Sequence, residues 1–444
     1  MSQKKILIKG AFILTITGFI TRIIGFFYRI FLSRNFGEEG VGLYQLIFPV
    51  YALGFSLTCA GIQTAISRCV AGRSALGKHS QAKQILYVGI GLSVCLSLAV
   101  MLLTQHYAEF IALCFLHEER CIPLLTVLSY AFPFASVHSC ICGYYMGLKQ
   151  AEIPATSQLI EQIVRVASVY LLYRLFVSND GPSGIIVAVA GLITGEMASA
   201  GFCIYMLRYR QQIRCSTSSN TFSDLKNALT KLLALSIPLT ANRILLNVLQ
   251  SIEAVSIPIQ LRMYGLSTRQ SLSMYGVLTG MALPCVMFPS AVTNSIASMM
   301  LPAIAELQAA ERKDEMKQLI KKAGSSCFSL GLICCVGLLV TGRFIGRYIF
   351  HSEMSGDFII TLAWICPFLY TNNNLISIIN GLGKTSQSFL FNSISLTIRI
   401  LSVFLCIPFF GINGYLWGML ASQLILFLSC ISFLAHRGAF QRNI

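Results

Sequence analysis

Apolar residues dominate this chain in a succession of long runs, and polar residues gather in the short breaks between them. A helix that crosses a bilayer needs about 20 mostly apolar residues, or a few more if it is tilted. Each run is long enough, so the pattern predicts an all-α integral membrane protein. The twelve predicted transmembrane helices cover residues 10–34, 42–70, 84–104, 122–147, 155–177, 184–208, 229–261, 273–302, 320–342, 358–382, 386–409 and 413–435.

The longest polar break runs from Arg208 to Lys226 and leaves six predicted helices on each side. We therefore predict two six-helix lobes, an N-lobe of residues 1–208 and a C-lobe of residues 228–444. A cytoplasmic linker of residues 209–227 is expected to join them.

The C-lobe repeats the N-lobe, because residues 82–170 align with residues 316–404 at a constant shift of 234 positions. Internal duplication of hydrophobic helices is typical of secondary transporters, in which the substrate site lies where the repeats face each other. Each lobe has an even number of helices, so both enter the membrane in the same orientation and form parallel repeats. Matched pairs are Leu116-His117 with Phe350-His351, Pro133-Phe134 with Pro367-Phe368, and Val164-Arg165 with Ile398-Arg399.

Composition and charge agree with a membrane location. Hydrophobic residues make up 55% of the chain, charged residues only 11%, and the mean hydropathy is +0.71, whereas soluble domains carry about 25% charged residues. The net charge of +16 could suit nucleic acid, but 21 of the 33 Lys and Arg residues lie in segments that are cytoplasmic if the N-terminus is inside. Basic residues are enriched in cytoplasmic loops. We therefore predict cytoplasmic termini and no nucleic-acid partner.

Residue patterns for catalysis or metal binding are absent from the sequence. The 16 cysteines are scattered through apolar stretches without a CxxC or a Cys/His ligand spacing, so they are expected to be small buried hydrophobes. We predict no metal, no cofactor and no enzyme activity. His138 is expected to be an isolated core histidine. Glu196 is expected to be buried and neutral, or paired, and a proton-coupling carboxylate is the alternative for it. Glu161 and Arg165, four residues apart, predict a structural ion pair within one helix.

Polar and small residues form stripes on four of the predicted helices. On the first helix, Thr15, Gly18, Arg22, Gly25 and Arg29 are spaced to share one face. The seventh helix is its repeat partner, and the second and eighth helices carry similar stripes, so the four faces are expected to surround a wet central cavity. Members of the other three stripes include Gln63, Arg243, Asn247, Glu253 and Asn294. Prolines at positions 49, 238, 258, 284, 289 and 302 predict kinks, because proline bends a helix.

Three arginines make the predicted cavity positive. A guanidinium at mid-bilayer costs roughly 2.5–3.5 kcal/mol, so Arg22, Arg29 and Arg243 are expected to face water, a carboxylate or a ligand. A positive cavity suits an anion, and the planar guanidinium suits a phosphate or pyrophosphate. For Arg29, snorkelling to the outer interface is an equal alternative, and structural pairing is an alternative for all three. The predicted substrate-binding residues are Arg22, Arg29, Arg243, Gln63, Asn247 and Asn294, with Glu253 as the candidate for ion coupling.

Three segments carry a resemblance to a known family: residues 18–34 around Arg22 and Arg29, residues 40–46, and residues 59–68. They resemble the stage V sporulation protein B group. That group lies in the superfamily of multidrug, oligosaccharidyl-lipid and polysaccharide exporters, together with the lipid II flippases. The resemblance implies a MATE/MOP-like fold in a bacterial plasma membrane. Arg22 matches a cavity arginine of the flippases by motif, and Arg29 does so with a one-residue offset.

The resemblance and the positive cavity together predict an alternating-access flippase for a polyprenyl-pyrophosphate-linked glycan, such as a peptidoglycan or polysaccharide precursor. Its expected partners are the lipid-linked anionic glycan, membrane lipids and cell-wall synthesis enzymes, and the chain is expected to be a monomer. Two alternatives remain open. One is a cation-coupled multidrug antiporter of the same fold, which needs an acidic cavity. The other is a non-transporting cell-wall assembly scaffold, which has no need of buried arginines.

Overall fold

The computed structural model describes residues 3–176, 184–212 and 222–436, which fold into helices with no β-strand among them. The helices before residue 213 are α1 (Gln3–Leu46), α2 (Phe48–Phe55), α3 (Gly61–Ala75), α4 (His79–His106), α5 (Ala108–Phe110), α6 (Cys121–Ser129), α7 (Ala131–Gly147), α8 (Glu152–Phe176) and α9 (Ile185–Gln212). The later helices are α10 (Phe222–Met263), α11 (Thr268–Gly276), α12 (Leu283–Met287), α13 (Ser290–Ala309), α14 (Lys313–Phe344), α15 (Glu353–Ala363), α16 (Cys366–Gly381), α17 (Thr385–Leu405), α18 (Ile407–Phe410) and α19 (Ile412–His436). Short π-helical segments extend four of these helices, at Ser56–Ala60, Ile111–Phe115, Val277–Ala282 and Ile345–Phe350.

Many of these helices can cross a membrane. Within the described residues, seven helical stretches are long and apolar enough, and the number rises to ten if each of three bent helix pairs counts as one span. The bent pairs are α6 with α7 (41°), α11–α12 with α13 (62°), and α15 with α16 (56°). The prediction of an all-helical, multi-pass membrane protein is therefore confirmed.

Bends and breaks coincide with glycine and proline. Gly37 interrupts α1 with φ 67° and ψ −179°, a conformation open to glycine because it has no Cβ. Pro289 directly precedes α13 at the 62° bend, and Pro367 lies in the first turn of α16 at the 56° bend. Proline lacks the N–H that would continue the helix. The bend predicted at Pro289 is confirmed, whereas α10 runs without a break past Pro238 and Pro258, and α13 does so past Pro302.

Backbone geometry repeats at the spacing of 234 residues that the sequence predicts. His117 and His351 both have left-handed backbones, with φ of 54° and 58°, and a π-helical segment precedes each of them. Lys149 and Gly383 follow α7 and α16 and also share a positive φ, of 59° and 73°. Such matched turns are expected if the two halves descend from one duplicated segment.

Packing divides the chain into two compact units, which we call unit 1 (Met1–Tyr28 and Leu43–Ser251) and unit 2 (Arg29–Gly42 and Ile252–Ile444). Each unit has its own apolar core. The core of unit 1 includes Ile66, Leu86, Ile141 and Cys203, and that of unit 2 includes Ile304, Ile378, Ile379 and Cys430. The lobe boundaries predicted from the sequence stay a prediction, and residues 213–221 of the predicted linker lie outside the described residues.

Glycine lets α3 and α7 approach closely in unit 1. A Cβ at Gly143 would lie 2.6 Å from the Gln63 carbonyl oxygen, and a Cβ at Gly147 would lie 2.6 Å from the Ser67 carbonyl oxygen. The two glycines are four residues apart and therefore face the same neighbour. Small residues at this spacing drive helix association in membranes, where the contact depends on close packing rather than on water exclusion.

We expect Gly143→Ala to destabilise the protein by about 1–3 kcal/mol, because the added methyl group meets a backbone carbonyl that cannot move aside. Gly91→Ala on α4 is the matched control, since nothing lies within 4 Å of a Cβ there. Alanine is the better helix former by about 0.8–1 kcal/mol, so the control should be neutral or stabilising. Unfolding in mixed micelles compares the two variants. Equal stability would contradict the packing described for α3 and α7.

Candidate functional site

The predicted substrate-binding arginines are distributed over both units. Arg22 lies on α1 in unit 1 and is partly buried, whereas Arg243 lies on α10 in unit 1 and is exposed. Among the residues that the structure describes, Arg243 has no hydrogen-bonding or ion-pair partner. Arg29 lies on α1 in unit 2. The grouping of the three arginines around one substrate therefore stays a prediction.

Arg29 is held by the backbone of a π-helical segment in unit 2. Its Nη1 donates to the Thr279 carbonyl oxygen at 3.2 Å and to the Gly280 carbonyl oxygen at 3.4 Å. Both carbonyls belong to Val277–Ala282, where the π-helical pattern replaces ordinary α-helical bonding. These acceptors are neutral, so the two hydrogen bonds orient the guanidinium without cancelling its charge.

The predicted polar side chains make contacts within their own units. In unit 1, Asn247 Nδ2 donates to Ser56 Oγ and, at 3.3 Å, to the Ala52 carbonyl oxygen. Gln63 is partly buried on α3, where its backbone faces Gly143. The polar side chains of the second and seventh predicted helices thus meet within unit 1.

Asn294 belongs to a polar cluster in unit 2. Its Oδ1 accepts a hydrogen bond of 3.0 Å from Asn373 Nδ2, on α16. The neighbouring Asn372 donates to the Gln423 carbonyl oxygen at 2.8 Å and to Gln423 Oε1 at 3.0 Å. The asparagines of α16 therefore join α13 and α19 through side-chain hydrogen bonds.

Glu253 forms a buried ion pair in unit 2. Its side chain is 4% exposed, and Oε1 accepts hydrogen bonds from Arg399 Nε at 2.7 Å and from Tyr415 Oη at 2.7 Å. The Arg399 guanidinium also lies 3.4 Å from Tyr415 Oη. The pair joins α10, α17 and α19. The sequence does not predict this pair, because the acid that binds Arg399 lies 146 residues away rather than within its own helix.

A second buried polar cluster lies in unit 1 around Glu196 of α9. Glu196 accepts a 3.0 Å hydrogen bond from Tyr51 Oη and lies 3.3 Å from His138 Nδ1. The other ring nitrogen, His138 Nε2, lies 3.1 Å from Ser157 Oγ. The prediction that His138 is isolated is therefore wrong. Its partners lie on α8 and α9, and local sequence spacing does not predict contacts between different helices. Glu196 is paired, one of the two states expected for it.

The intrahelical ion pair predicted on α8 is confirmed, since Arg165 Nη2 contacts Glu161 Oε1. The acids Glu161 and Glu253 therefore each have an arginine partner within their own unit.

Two groups of side chains that could bind a metal ion include His138. The atoms of His138, Cys142 and Cys203 lie within 4.8 Å of one another, and so do those of His138, Glu161 and Glu196. The first group could not be predicted, because Cys203 lies on α9 and no spacing in the sequence relates it to His138 and Cys142 on α7.

The apolar helical spans define a multi-pass membrane protein, and comparison with known proteins identifies its family. The model of the polysaccharide biosynthesis protein family matches residues 7–308. The chain belongs to that family. It is 28% identical to stage V sporulation protein B of Bacillus subtilis (strain 168) over 418 residues, which covers 93% of this chain and 80% of that protein. The resemblance seen in the sequence is therefore confirmed.

Solved structures share the fold. The lipid II flippase MurJ in an inward closed conformation has a TM-score of 0.73 at 15% identity, covering 95% of this chain and 87% of that chain. An inward-facing multidrug resistance MATE family transporter of the MOP superfamily has a TM-score of 0.68 at 13% identity, covering 96% of each chain. At these identities, the likeness establishes a MATE- and MurJ-like fold and leaves the substrate to be argued from residues.

Proposed function

We propose that this protein is an alternating-access flippase that moves a polyprenyl-pyrophosphate-linked glycan across the bacterial plasma membrane. One observation supports the proposal most strongly. Arginine side chains lie within predicted spans, and the buried acids Glu161 and Glu253 are paired with other arginines. Arg243 is exposed and without a partner among the described residues. Glu161 and Glu253 are held by Arg165 and Arg399. A substrate with a negative head group fits this charge distribution.

Twelve crossings are part of the proposal. The stretch Ile13–Ser74 has 62 residues, or about 93 Å of helix at 1.5 Å per residue. This is about three times the hydrocarbon thickness of a bilayer, so the stretch is too long for a single crossing. The helix is broken at Gly37, and we count the parts before and after the break as one crossing each. Helix α8 is 25 residues long and contains the Glu161–Arg165 pair. We count it as one more, which brings ten to twelve. An even number of crossings puts both termini on the same side, and the excess of basic residues in the loops on that side makes it the cytoplasmic one.

In the proposed mechanism, the pyrophosphate head binds Arg22, Arg29 and Arg243, while the polyprenyl tail stays in the lipid. Guanidinium groups suit this head because their planar fork donates two parallel hydrogen bonds to phosphate oxygens. Gln63, Asn247 and Asn294 supply neutral hydrogen bonds to the glycan. Rocking of the two lobes then exposes the head on the outer side, as in other transporters built from repeats.

Glu253 is the proposed link to an ion gradient or to membrane potential. Its carboxylate already holds Arg399 and Tyr415, so a cation or proton that reaches it competes with Arg399. A change in that pair alters the connection among α10, α17 and α19. Coupling through Glu253 therefore acts on the packing of unit 2 rather than on the substrate directly.

Transport in proteoliposomes tests the proposal. We expect the purified protein to move a polyprenyl-pyrophosphate glycan between leaflets, and to leave a neutral polyprenyl-linked glycan and cationic dyes in place. Imposed voltage and ion gradients should change the rate. Efflux of cationic drugs driven by sodium or protons, without movement of the anionic lipid, would instead establish the multidrug antiporter alternative.

A further inference from the structure

A cluster of soft metal-ligating groups lies inside unit 1, apart from the arginines of the proposed substrate site. His138 and Cys142 are four residues apart on α7, so both side chains project from the same face of that helix. Cys203 is on α9, and the ligating atoms of all three residues lie within 4.8 Å of one another. Cys142 is 6% exposed and Cys203 is fully buried.

We propose that His138, Cys142 and Cys203 bind one Zn²⁺ ion that joins α7 to α9 in the interior of unit 1. Thiolate sulfur and imidazole nitrogen are the ligands of structural zinc sites. In a tetrahedral site with metal–ligand distances of about 2.0–2.3 Å, neighbouring ligand atoms lie about 3.5–3.8 Å apart. The ligating atoms lie within 4.8 Å of one another, so binding needs a contraction of at most about 1.3 Å, which side-chain rotation can supply.

The neighbours of His138 are those that a metal-bound histidine commonly has. Its Nδ1 lies 3.3 Å from Glu196 Oε2, and a carboxylate at this position fixes the ring and its tautomer, as carboxylates do in many zinc sites. Its Nε2 lies 3.1 Å from Ser157 Oγ, which is 3.4 Å from Cys142 Sγ. Nε2 and the Cys142 thiol therefore share a neighbour. Ser157, or a water bound to it, provides the fourth ligand position.

Charge balance selects the metal. Deprotonated Cys142 and Cys203 carry two negative charges, and a divalent ion with a neutral imidazole cancels them. A neutral assembly matters inside a membrane protein, because uncompensated buried charge is costly. A monovalent copper ion, the other common ion for thiolates, would leave one negative charge beside the carboxylate of Glu196. Zinc is therefore the ion that this site accommodates.

The metal content of the purified full-length protein tests this proposal independently of transport. We expect about one zinc per chain by mass spectrometry, and loss of most of it in Cys203→Ser and Cys142→Ser, which each change one atom. Cys140→Ser is the matched control, because Cys140 is fully buried on the same helix but lies 3.7 Å from the Gly89 carbonyl oxygen, outside the cluster. This control should keep its zinc.

Two further measurements distinguish loss of the zinc site from a variant that fails to fold. Cobalt added to the metal-free wild-type protein should produce thiolate-to-cobalt charge-transfer absorption. Glu196→Gln should weaken zinc affinity about 10–100-fold, because that is the usual effect of removing a carboxylate that orients a metal-bound histidine. Absence of zinc and of the cobalt absorption in the wild type would overturn the proposal. So would zinc that persists undiminished in Cys203→Ser, or copper in place of zinc.

Discussion

Arg399→Met is expected to destabilise the protein by about 3–5 kcal/mol, because it leaves the Glu253 carboxylate buried without its cation. Tyr415 still donates one hydrogen bond to Glu253, which is too little to replace the ion pair. The cost arises from the carboxylate that remains, so Glu253→Leu combined with Arg399→Met should recover most of the lost stability. Unfolding with sodium dodecyl sulfate in mixed micelles measures the difference.

The exposed pair Arg343–Asp357 provides the control for that cycle. Its side chains are 83% and 68% exposed and its closest atoms are 3.8 Å apart, and exposed pairs contribute about 0–1 kcal/mol. Arg343→Ala should therefore change stability little. If Arg399→Met were no more destabilising than Arg343→Ala, the Glu253–Arg399 pair would not contribute to stability. That result would also contradict its proposed role in coupling.

Sequence periodicity predicts the helices of this protein well, because the bilayer demands long apolar runs whatever the tertiary contacts. The duplication is equally visible, and His117 and His351 show that it extends to backbone conformation. The Glu161–Arg165 pair could be predicted for the same reason, since both residues lie on one helix. Local spacing determines each of these features.

Contacts between distant helices could not be predicted from spacing. Arg399 matches Arg165 in the repeat but has Ser395 where the first copy has its acid, so the sequence offers no local partner. Glu253 supplies the charge from another helix. Cys203 likewise reaches Cys142 across 61 residues. A single sequence contains no signal for such pairs, because their proximity depends on how α7, α9, α10 and α17 pack.

Division into units is a further property that the hydrophobic pattern does not determine. The first predicted helix contains both Arg22 and Arg29 on one face, yet the boundary between the units falls at Tyr28 and Arg29. On the seventh predicted helix, Asn247 belongs to unit 1 and Glu253 to unit 2. The unit boundaries therefore fall within α1 and α10. Hydrophobic periodicity predicts each of these helices as a single element and does not indicate the boundary inside it.

Loss of the cavity arginines should have the largest effect on transport. Hydrogen bonds to charged groups contribute about 1.5–3 kcal/mol each, and 1.4 kcal/mol is a factor of ten in affinity. Arg243→Ala is therefore expected to weaken binding of the pyrophosphate head by about 10–100-fold. Arg243→Lys keeps the charge but loses the planar fork, so it should retain part of the activity. Arg22→Ala should behave like Arg243→Ala.

Arg174→Ala is the matched control for these variants. Arg174 is an exposed arginine near the end of α8 that contacts the Tyr170 ring and hydroxyl rather than the predicted polar stripes. Its removal changes the net charge by the same amount without touching the proposed site. Membrane insertion and thermal unfolding of all variants separate a transport defect from a folding defect.

The most direct measurement is leaflet translocation of a polyprenyl-pyrophosphate glycan in proteoliposomes that contain either the wild type or the Arg22→Ala/Arg243→Ala double variant. We predict rapid movement with the wild type and none above the protein-free rate with the double variant, although the variant inserts and folds normally. Equal translocation by the two proteins would contradict the central claim that these guanidinium groups carry the anionic head across the membrane.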